Sequence, residues 1–288
     1  MDDISRRSES RKSKSIRIFN STVSFSLAYI FITQMIWISM SLFGKFFYKD
    51  SIVYYYGIRF MQNKPEFWNR LKITTIFGGG PFVALLLGLL GIYLYSKFKT
   101  TKTLFNLFFL WCFVIGTSMF AAQGVIASLA GHEFLSPYYT WFACVFAWWR
   151  IPLFIVYASN LFFVGILLYF AANYARPFLV FSYSYTKVNK LSRRRKYFLE
   201  TAFLPFILGA VLTTKLTFPM NLFIHLVFLG VIFLGLIIAW YSLAHIDIVR
   251  DDVLKYKNLQ KVNFLFIVLL ALSIAFVLTT WRGFNLSA

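Results

Sequence analysis

Charged residues are scarce in this chain, and acidic ones especially so. Only 14% of the 288 residues are charged, and ten Asp and Glu stand against 29 Lys and Arg. A soluble domain carries about 25% charged residues, so the composition argues against a soluble globular protein. The formal net charge of +19 does not predict a nucleic-acid partner, because the basic residues lie between apolar runs and form no separate basic domain.

Cysteine is almost absent as well. The two cysteines, Cys112 and Cys144, both lie in apolar aromatic runs and form no CxxC spacing. That number and placement exclude a disulfide framework and a thiolate metal centre. We expect no cofactor.

Apolar and aromatic residues are abundant instead, at 59% and 21% of the chain. A helix needs about 20 apolar residues to cross a bilayer core of ~30 Å. The predicted fold is therefore all-α, a polytopic transmembrane helical bundle of about seven spans. A basic cytoplasmic tail over 1–19 precedes a single transmembrane domain over 20–282. The predicted spans lie near 20–44, 77–97, 103–129, 151–173, 197–214, 220–241 and 262–281.

Two aromatic segments do not fit a simple crossing. The segment 45–72 alternates Tyr and Trp with Lys and Arg, which is typical of a helix lying in the head-group layer. The run from Pro137 to Arg176 would be about 60 Å long as one helix, so it must break, and Arg150 and Pro152 mark the place. The part over 137–149 is predicted as an interfacial or re-entrant helix.

The distribution of basic residues predicts the orientation. With seven spans and a cytoplasmic N-terminus, twenty Lys and Arg lie on the cytoplasmic side and nine outside. Such an excess is typical of cytoplasmic loops, so we expect this orientation in a plasma or inner membrane. The densest basic cluster is predicted to contact anionic lipid head groups or an acidic protein partner. Its residues are Lys187, Lys190, Arg193, Arg194, Arg195 and Lys196.

No Asp, Glu, Lys or Arg lies in the middle of a predicted span. Proton relays and voltage sensors need such residues, so the sequence argues against a charge-driven pump. Uncharged polar residues do occur within the spans. They form either an outward-facing polar pocket or interhelical hydrogen bonds, and we favour the bonds. The candidate pocket residues are Gln34, Gln123, Asn160 and His225.

Asn160 lies close to the midpoint of the predicted fourth span. An amide in hydrocarbon needs hydrogen-bond partners. We therefore expect Asn160 to face the bundle interior and to meet Gln34 or Gln123.

Two catalytic arrangements follow from the histidines. His132 and Glu133 begin an HExxH motif, but Ser136 occupies the position of the second histidine. A non-contiguous metal site of His132, Glu133 and His225 would still offer three ligands. Ser118, in a Gly-Thr-Ser-Met segment, partly matches the Gly-x-Ser-Gly of intramembrane serine proteases, with His225 as the available base.

The sequence therefore predicts a non-enzymatic translocator of a small molecule or lipid, or a component of a membrane complex. One alternative is an intramembrane hydrolase, dependent on a metal or a serine, with its site on the outer side. The other is a membrane scaffold that recruits an acidic partner through the basic loop 176–196.

Overall fold

The fold-class prediction is confirmed by a computed structural model, which is a bundle of helices with one small sheet. Six helical segments are long and apolar enough to cross a membrane. A seventh apolar helix is sixteen residues long. The structure describes residues 11–54, 57–61, 68–98, 103–130, 141–181, 188–217, 222–246, 262, 264–280 and 283–285.

The elements follow one another in a simple order. The helices are α1 (Arg11–Phe46), α2 (Arg70–Phe98), α3 (Thr103–Ala130), α4 (Trp141–Trp148), α5 (Leu153–Ala172), α6 (Ala175–Val180), α7 (Leu191–Phe198), α8 (Leu204–Thr217), α9 (Leu222–Ser242) and α10 (Phe264–Thr279). A π-helical turn, Leu199–Phe203, joins α7 to α8, and a 3₁₀ turn, Leu243–His245, follows α9. The strands are β1 (Ser51–Tyr54), β2 (Gly57–Phe60) and β3 (Phe284–Asn285).

Helix α1 is longer than a bilayer core requires. Its 36 residues make a helix of roughly 54 Å, against a core of ~30 Å. It begins at Arg11, so residues 11–19 of the predicted basic cytoplasmic tail are helical. Residues 1–10 lie outside the described residues.

The prediction of an interfacial helix within 45–72 is wrong where the structure describes that segment. Strands β1 and β2 form an antiparallel hairpin, with Ser51 opposite Phe60, and β3 pairs with the other edge of β1. Ser51 and Val53 are buried while their neighbours are partly exposed, which is the period of two of a strand. The alternation of aromatic and basic residues in the sequence conceals this period.

Helix α3 is the centre of the bundle and packs against α1, α2, α5 and α9. Glycines allow the closest approach, between α2 and α3. A Cβ atom on Gly116 would lie 2.4 Å from the carbonyl oxygen of Ala84, and one on Gly88 would lie 3.0 Å from the backbone nitrogen of Thr117. The small pair Ala84 and Gly88 thus lets the two backbones approach closely.

The chain breaks where the sequence predicted, after α4. Arg150 has a positive φ of 51°, and Pro152 precedes α5. Helix α4 has eight residues, about 12 Å, so it is too short to cross, and it packs against α2 and α3. The indole nitrogen of Trp149 donates a hydrogen bond of 2.8 Å to Thr74 at the start of α2.

We call the end of the bundle that holds the sheet the hairpin end, and the end that holds the start of α1 and α7 the tail end. Helix α10 runs parallel to α1: Phe266 packs against Val23 and Leu27, and Val277 packs against Ile30 further along. The strand that follows α10 pairs with the strand that follows α1. Both helices therefore run from the tail end to the hairpin end.

Candidate functional site

Among the described residues, three hydrogen-bonded groups of buried polar side chains bear on the candidate site, and two amides leave bonding capacity unused. The first group is an ion pair at the tail end. The second surrounds His225, and the third surrounds Tyr174. The two amides are those of Gln123 and Asn160.

The ion pair joins Arg17 of α1 to Glu200 in the π-helical turn, and both side chains are only 5% exposed. Lys14 adds a second cation, with its Nζ 2.9 Å from Glu200 Oε1. The Arg17 guanidinium also lies over the ring of Tyr197, 4.6 Å from its centre. The buried carboxylate of Glu200 thus has two cationic partners, both from α1.

A relay of hydrogen bonds fixes the same turn to the centre of the bundle. The indole nitrogen of Trp111 on α3 donates to Ser21 Oγ at 3.0 Å. Ser21 in turn donates to the carbonyl oxygen of Thr201 at 2.6 Å. A π-helical turn disturbs the regular backbone bonding of a helix. The relay therefore holds α1, α3 and the turn in one arrangement.

His225 on α9 is buried and bonded through both ring nitrogens. Nδ1 lies 2.6 Å from the Tyr29 hydroxyl, and Nε2 lies 2.9 Å from Thr214 Oγ1. Thr214 donates its own proton to the carbonyl of Ala210, so it accepts from Nε2–H. A neutral imidazole with its proton on Nε2 fits both bonds, with Nδ1 accepting from Tyr29.

Ser118 bonds to a different side chain. Its Oγ lies 3.2 Å from the hydroxyl of Tyr174, which also lies 2.6 Å from Thr117 Oγ1. Thr117 donates to the carbonyl of Phe113, so Tyr174 donates to Thr117 and Ser118 donates to Tyr174. The structure therefore engages Ser118 and His225 with separate partners.

Gln34 and Gln123 are buried, and Asn160 is half-buried. Gln123 is 0% exposed, yet neither atom of its amide has a hydrogen-bond partner in the described part of the chain. The buried Oδ1 of Asn160 likewise accepts no hydrogen bond from a described residue. Asn160 thus turns its oxygen to the interior as expected, but the predicted bond between Asn160 and Gln123 is absent.

The predicted metal site is only partly described. His132 and Glu133 lie outside the described residues, so a metal site that they would share with His225 stays a prediction. Within the described ranges, no group of three His, Cys, Asp or Glu side chains could hold a metal ion. Cys112 and Cys144 are free and buried. Burial raises the pKa of the Cys144 thiol, which disfavours its reactive thiolate.

The basic cluster divides into structural and exposed residues. Arg194 donates to the carbonyls of Val188 and Ile246, at 2.6 and 2.5 Å, and so joins α7 to the end of α9. Arg195 is half-buried, with its guanidinium 5.9 Å from the ring centre of Trp240. Lys190, Arg193 and Lys196 are exposed at the tail end, and Lys187 lies outside the described residues.

Sequence analysis missed Glu200 and the two partners of His225. Arg17 and Glu200 are 183 positions apart, and nothing in a single sequence pairs such residues. The one available signal was that Glu200 is an acidic residue next to a strongly basic segment, at the start of a predicted span.

Comparison of the chain with protein-family models, with curated proteins and with solved structures finds no match.

Proposed function

We propose that this protein is a non-enzymatic, multi-pass membrane protein that binds and translocates a small molecule or a lipid. Its N-terminus and tail end lie in the cytoplasm of a plasma or inner membrane in this proposal. The observation that carries it is the fully buried amide of Gln123, which has no bonding partner among the described residues.

An amide in an apolar interior without hydrogen bonds costs roughly 2–7 kcal/mol, depending on the reference state. Buried polar groups in proteins are otherwise nearly always paired. The buried oxygen of Asn160 adds a second unused acceptor. Unused capacity of this kind supports a role in contacting a molecule that passes through or rests in the bundle.

The bonding of the candidate catalytic groups supports a non-enzymatic protein over a serine-dependent hydrolase. Both nitrogens of His225 are occupied by Tyr29 and Thr214. Ser118 bonds to Tyr174 instead of a base. A nucleophilic serine needs a base within hydrogen-bond reach.

Leucine variants of Gln123 and Asn160 test the proposal. Each removes an amide that forms no described bond through its buried oxygen, so the melting temperature should hold or rise. Growth of a strain that depends on the protein should fail if the amides contact a transported molecule. If growth and melting temperature fall together and modestly, the amides serve packing and the proposal is wrong. Ser118→Ala, which should leave growth intact, tests the hydrolase alternative in the same strain.

Contact with an acidic partner or anionic lipid is a second candidate function for the tail end. The exposed cations Lys190, Arg193 and Lys196 support it, because each follows the last by three residues and they share one face. Replacing all three by Gln should release a tail-end partner recovered by cross-linking in intact membranes. Unchanged recovery would contradict this role.

A further inference from the structure

A proline lies within α2, the helix that packs closely against α3. Pro81 lies inside α2, on a buried face that continues through Ala84, Gly88 and Gly91. A Cβ on Gly91 would lie 3.1 Å from the Cβ of Cys112, and one on Gly116 would lie 2.8 Å from the nitrogen of Gly88. This face of α2 therefore packs directly against α3.

The register of the two helices extends to Gln123. The two helices run antiparallel, so residue numbers fall along α2 as they rise along α3. The ring centres of Phe82 and Phe120 lie 5.6 Å apart, so these two residues lie at the same depth, one turn further along the contact between the helices. Gln123 is seven residues, two full turns, beyond Gly116 and so shares its face. It therefore lies opposite the turn of α2 that contains Pro81.

Proline leaves a carbonyl without its helical donor at the same level. Pro81 has no N–H, so the carbonyl of Phe77, four residues earlier, loses its normal partner within α2. Gln123 offers an NH₂ group as donor and a carbonyl oxygen as acceptor, both unused among the described residues. The seam between α2 and α3 thus presents donor and acceptor groups at one depth.

We infer that this seam, formed by Gln123 and the backbone around Pro81, binds a neutral hydroxyl group. Helix α3 has no charged residue, and α2 has none between Lys72 and Lys97, so an ionic group would find no counter-charge here. A hydroxyl is the smallest group that donates and accepts at once, which suits a seam where backbones approach closely. The inference deepens the proposed function and rests on it.

The hydroxyl could belong to a free polyol or to a neutral lipid, and three probes separate these sources. The full chain in nanodiscs is titrated with glycerol, with 1-monodecanoylglycerol and with methyl decanoate, which has no hydroxyl. Saturable binding of the monoglyceride alone supports a lipid source. Binding of glycerol as well supports a free polyol. Equal binding of the methyl ester, or binding of no probe, overturns the inference.

Two variants locate the binding. Gln123→Met keeps the length of the side chain and removes its hydrogen bonds, so affinity should fall about tenfold. Pro81→Ala restores the missing N–H, which can then donate to the carbonyl of Phe77 and occupy this acceptor. Affinity should therefore fall in this variant as well, which keeps the site testable if Gln123→Met does not fold. Ser273→Ala, at a half-buried position on α10, is the control and should bind normally.

The binding and growth results are separable. If Gln123→Met stops growth while the intact protein binds no hydroxyl probe, the ligand class is overturned and the proposed function stands. If the probe binds and Gln123→Met weakens it while growth is unaffected, the site is supported and its role in transport is wrong. Unchanged affinity in both seam variants overturns the site itself.

Discussion

Glu200 and Arg17 form an ion pair between two buried side chains, each 5% exposed. Glu200→Gln would leave a buried guanidinium without its carboxylate, and breaking such a pair typically costs about 3–5 kcal/mol. We expect a large loss of thermal stability, measured on the purified protein in detergent.

Lys14 provides the matched control, because its side chain is 44% exposed although it contacts the same carboxylate. Exposed pairs contribute about 0–1 kcal/mol, so Lys14→Met should change the melting temperature little. The double variant Arg17→Met, Glu200→Met should recover much of the stability lost in Glu200→Gln. Equal losses in Lys14→Met and Glu200→Gln would show that burial does not set the strength of the pair.

The bonds of His225 give a second prediction for single residues. Tyr29→Phe removes the hydroxyl that donates to Nδ1 and leaves a buried acceptor unpaired, which costs about 1–3 kcal/mol. Thermal unfolding should show this loss. Thr33→Val is the comparison, because the Thr33 hydroxyl donates to the carbonyl of Tyr29 in its own helix and to no other described residue. A larger loss in Thr33→Val than in Tyr29→Phe would contradict the described bonding of the histidine.

Sequence reasoning found some of these residues and missed their partners, for a physical reason. Gln123 and His225 are visible because polar side chains are rare and costly in apolar helices. Tyr29 and Tyr174 are invisible, because tyrosine is common in this chain and only the fold shows which hydroxyl is buried beside a histidine or a serine. Hydrogen-bond partners depend on packing that a single sequence does not contain.

The close contact of α2 with α3 gives a prediction at the scale of helices. Gly116→Ala would place its Cβ 2.4 Å from the carbonyl oxygen of Ala84, a backbone atom that cannot move alone. The two helices would have to separate, so we expect a clear fall in melting temperature and in yield. Overpacking of this kind typically costs about 1–3 kcal/mol.

Gly165 and Gly230 provide controls for that change. A Cβ on either glycine meets nothing within 4 Å. In a helix interior alanine is more favourable than glycine by up to about 1 kcal/mol, so Gly165→Ala and Gly230→Ala should hold or raise the melting temperature. If all three variants behave alike, the close approach of α2 and α3 is wrong.

Elements of the bundle were predictable where one physical effect dominates. Long apolar runs must form helices in a bilayer, so hydropathy alone predicts the class of fold. The hairpin was not predictable in the same way, because its strands are four residues long and β3 joins them from the other end of the chain. The π-helical turn at Leu199–Phe203 also has no pattern in the sequence, because its contacts come from α1.

On the scale of the whole molecule, the sheet ties the first and last helices together. β1 follows α1, β3 follows α10, and the two strands pair. The start of α1 lies at the tail end and β3 lies at the hairpin end, so the chain passes along the bundle an odd number of times between them. Seven passes agree with this if the sixteen-residue helix α10 is the seventh. We propose that the hairpin end faces the outside and the tail end faces the cytoplasm, because the predicted cytoplasmic segments hold most of the basic residues.

The proposed arrangement places the two ends of the bundle on opposite sides of the membrane, with the hairpin end outside. Cys112 and Cys144 are buried, so both are first replaced by Ala. Single cysteines are then placed at Tyr48, which is 91% exposed at the hairpin end, and at the exposed Lys190 of the tail end. A membrane-impermeant maleimide should label Tyr48→Cys on intact cells and Lys190→Cys only after permeabilisation. Labelling of both on intact cells, or of Lys190→Cys alone, would contradict the account.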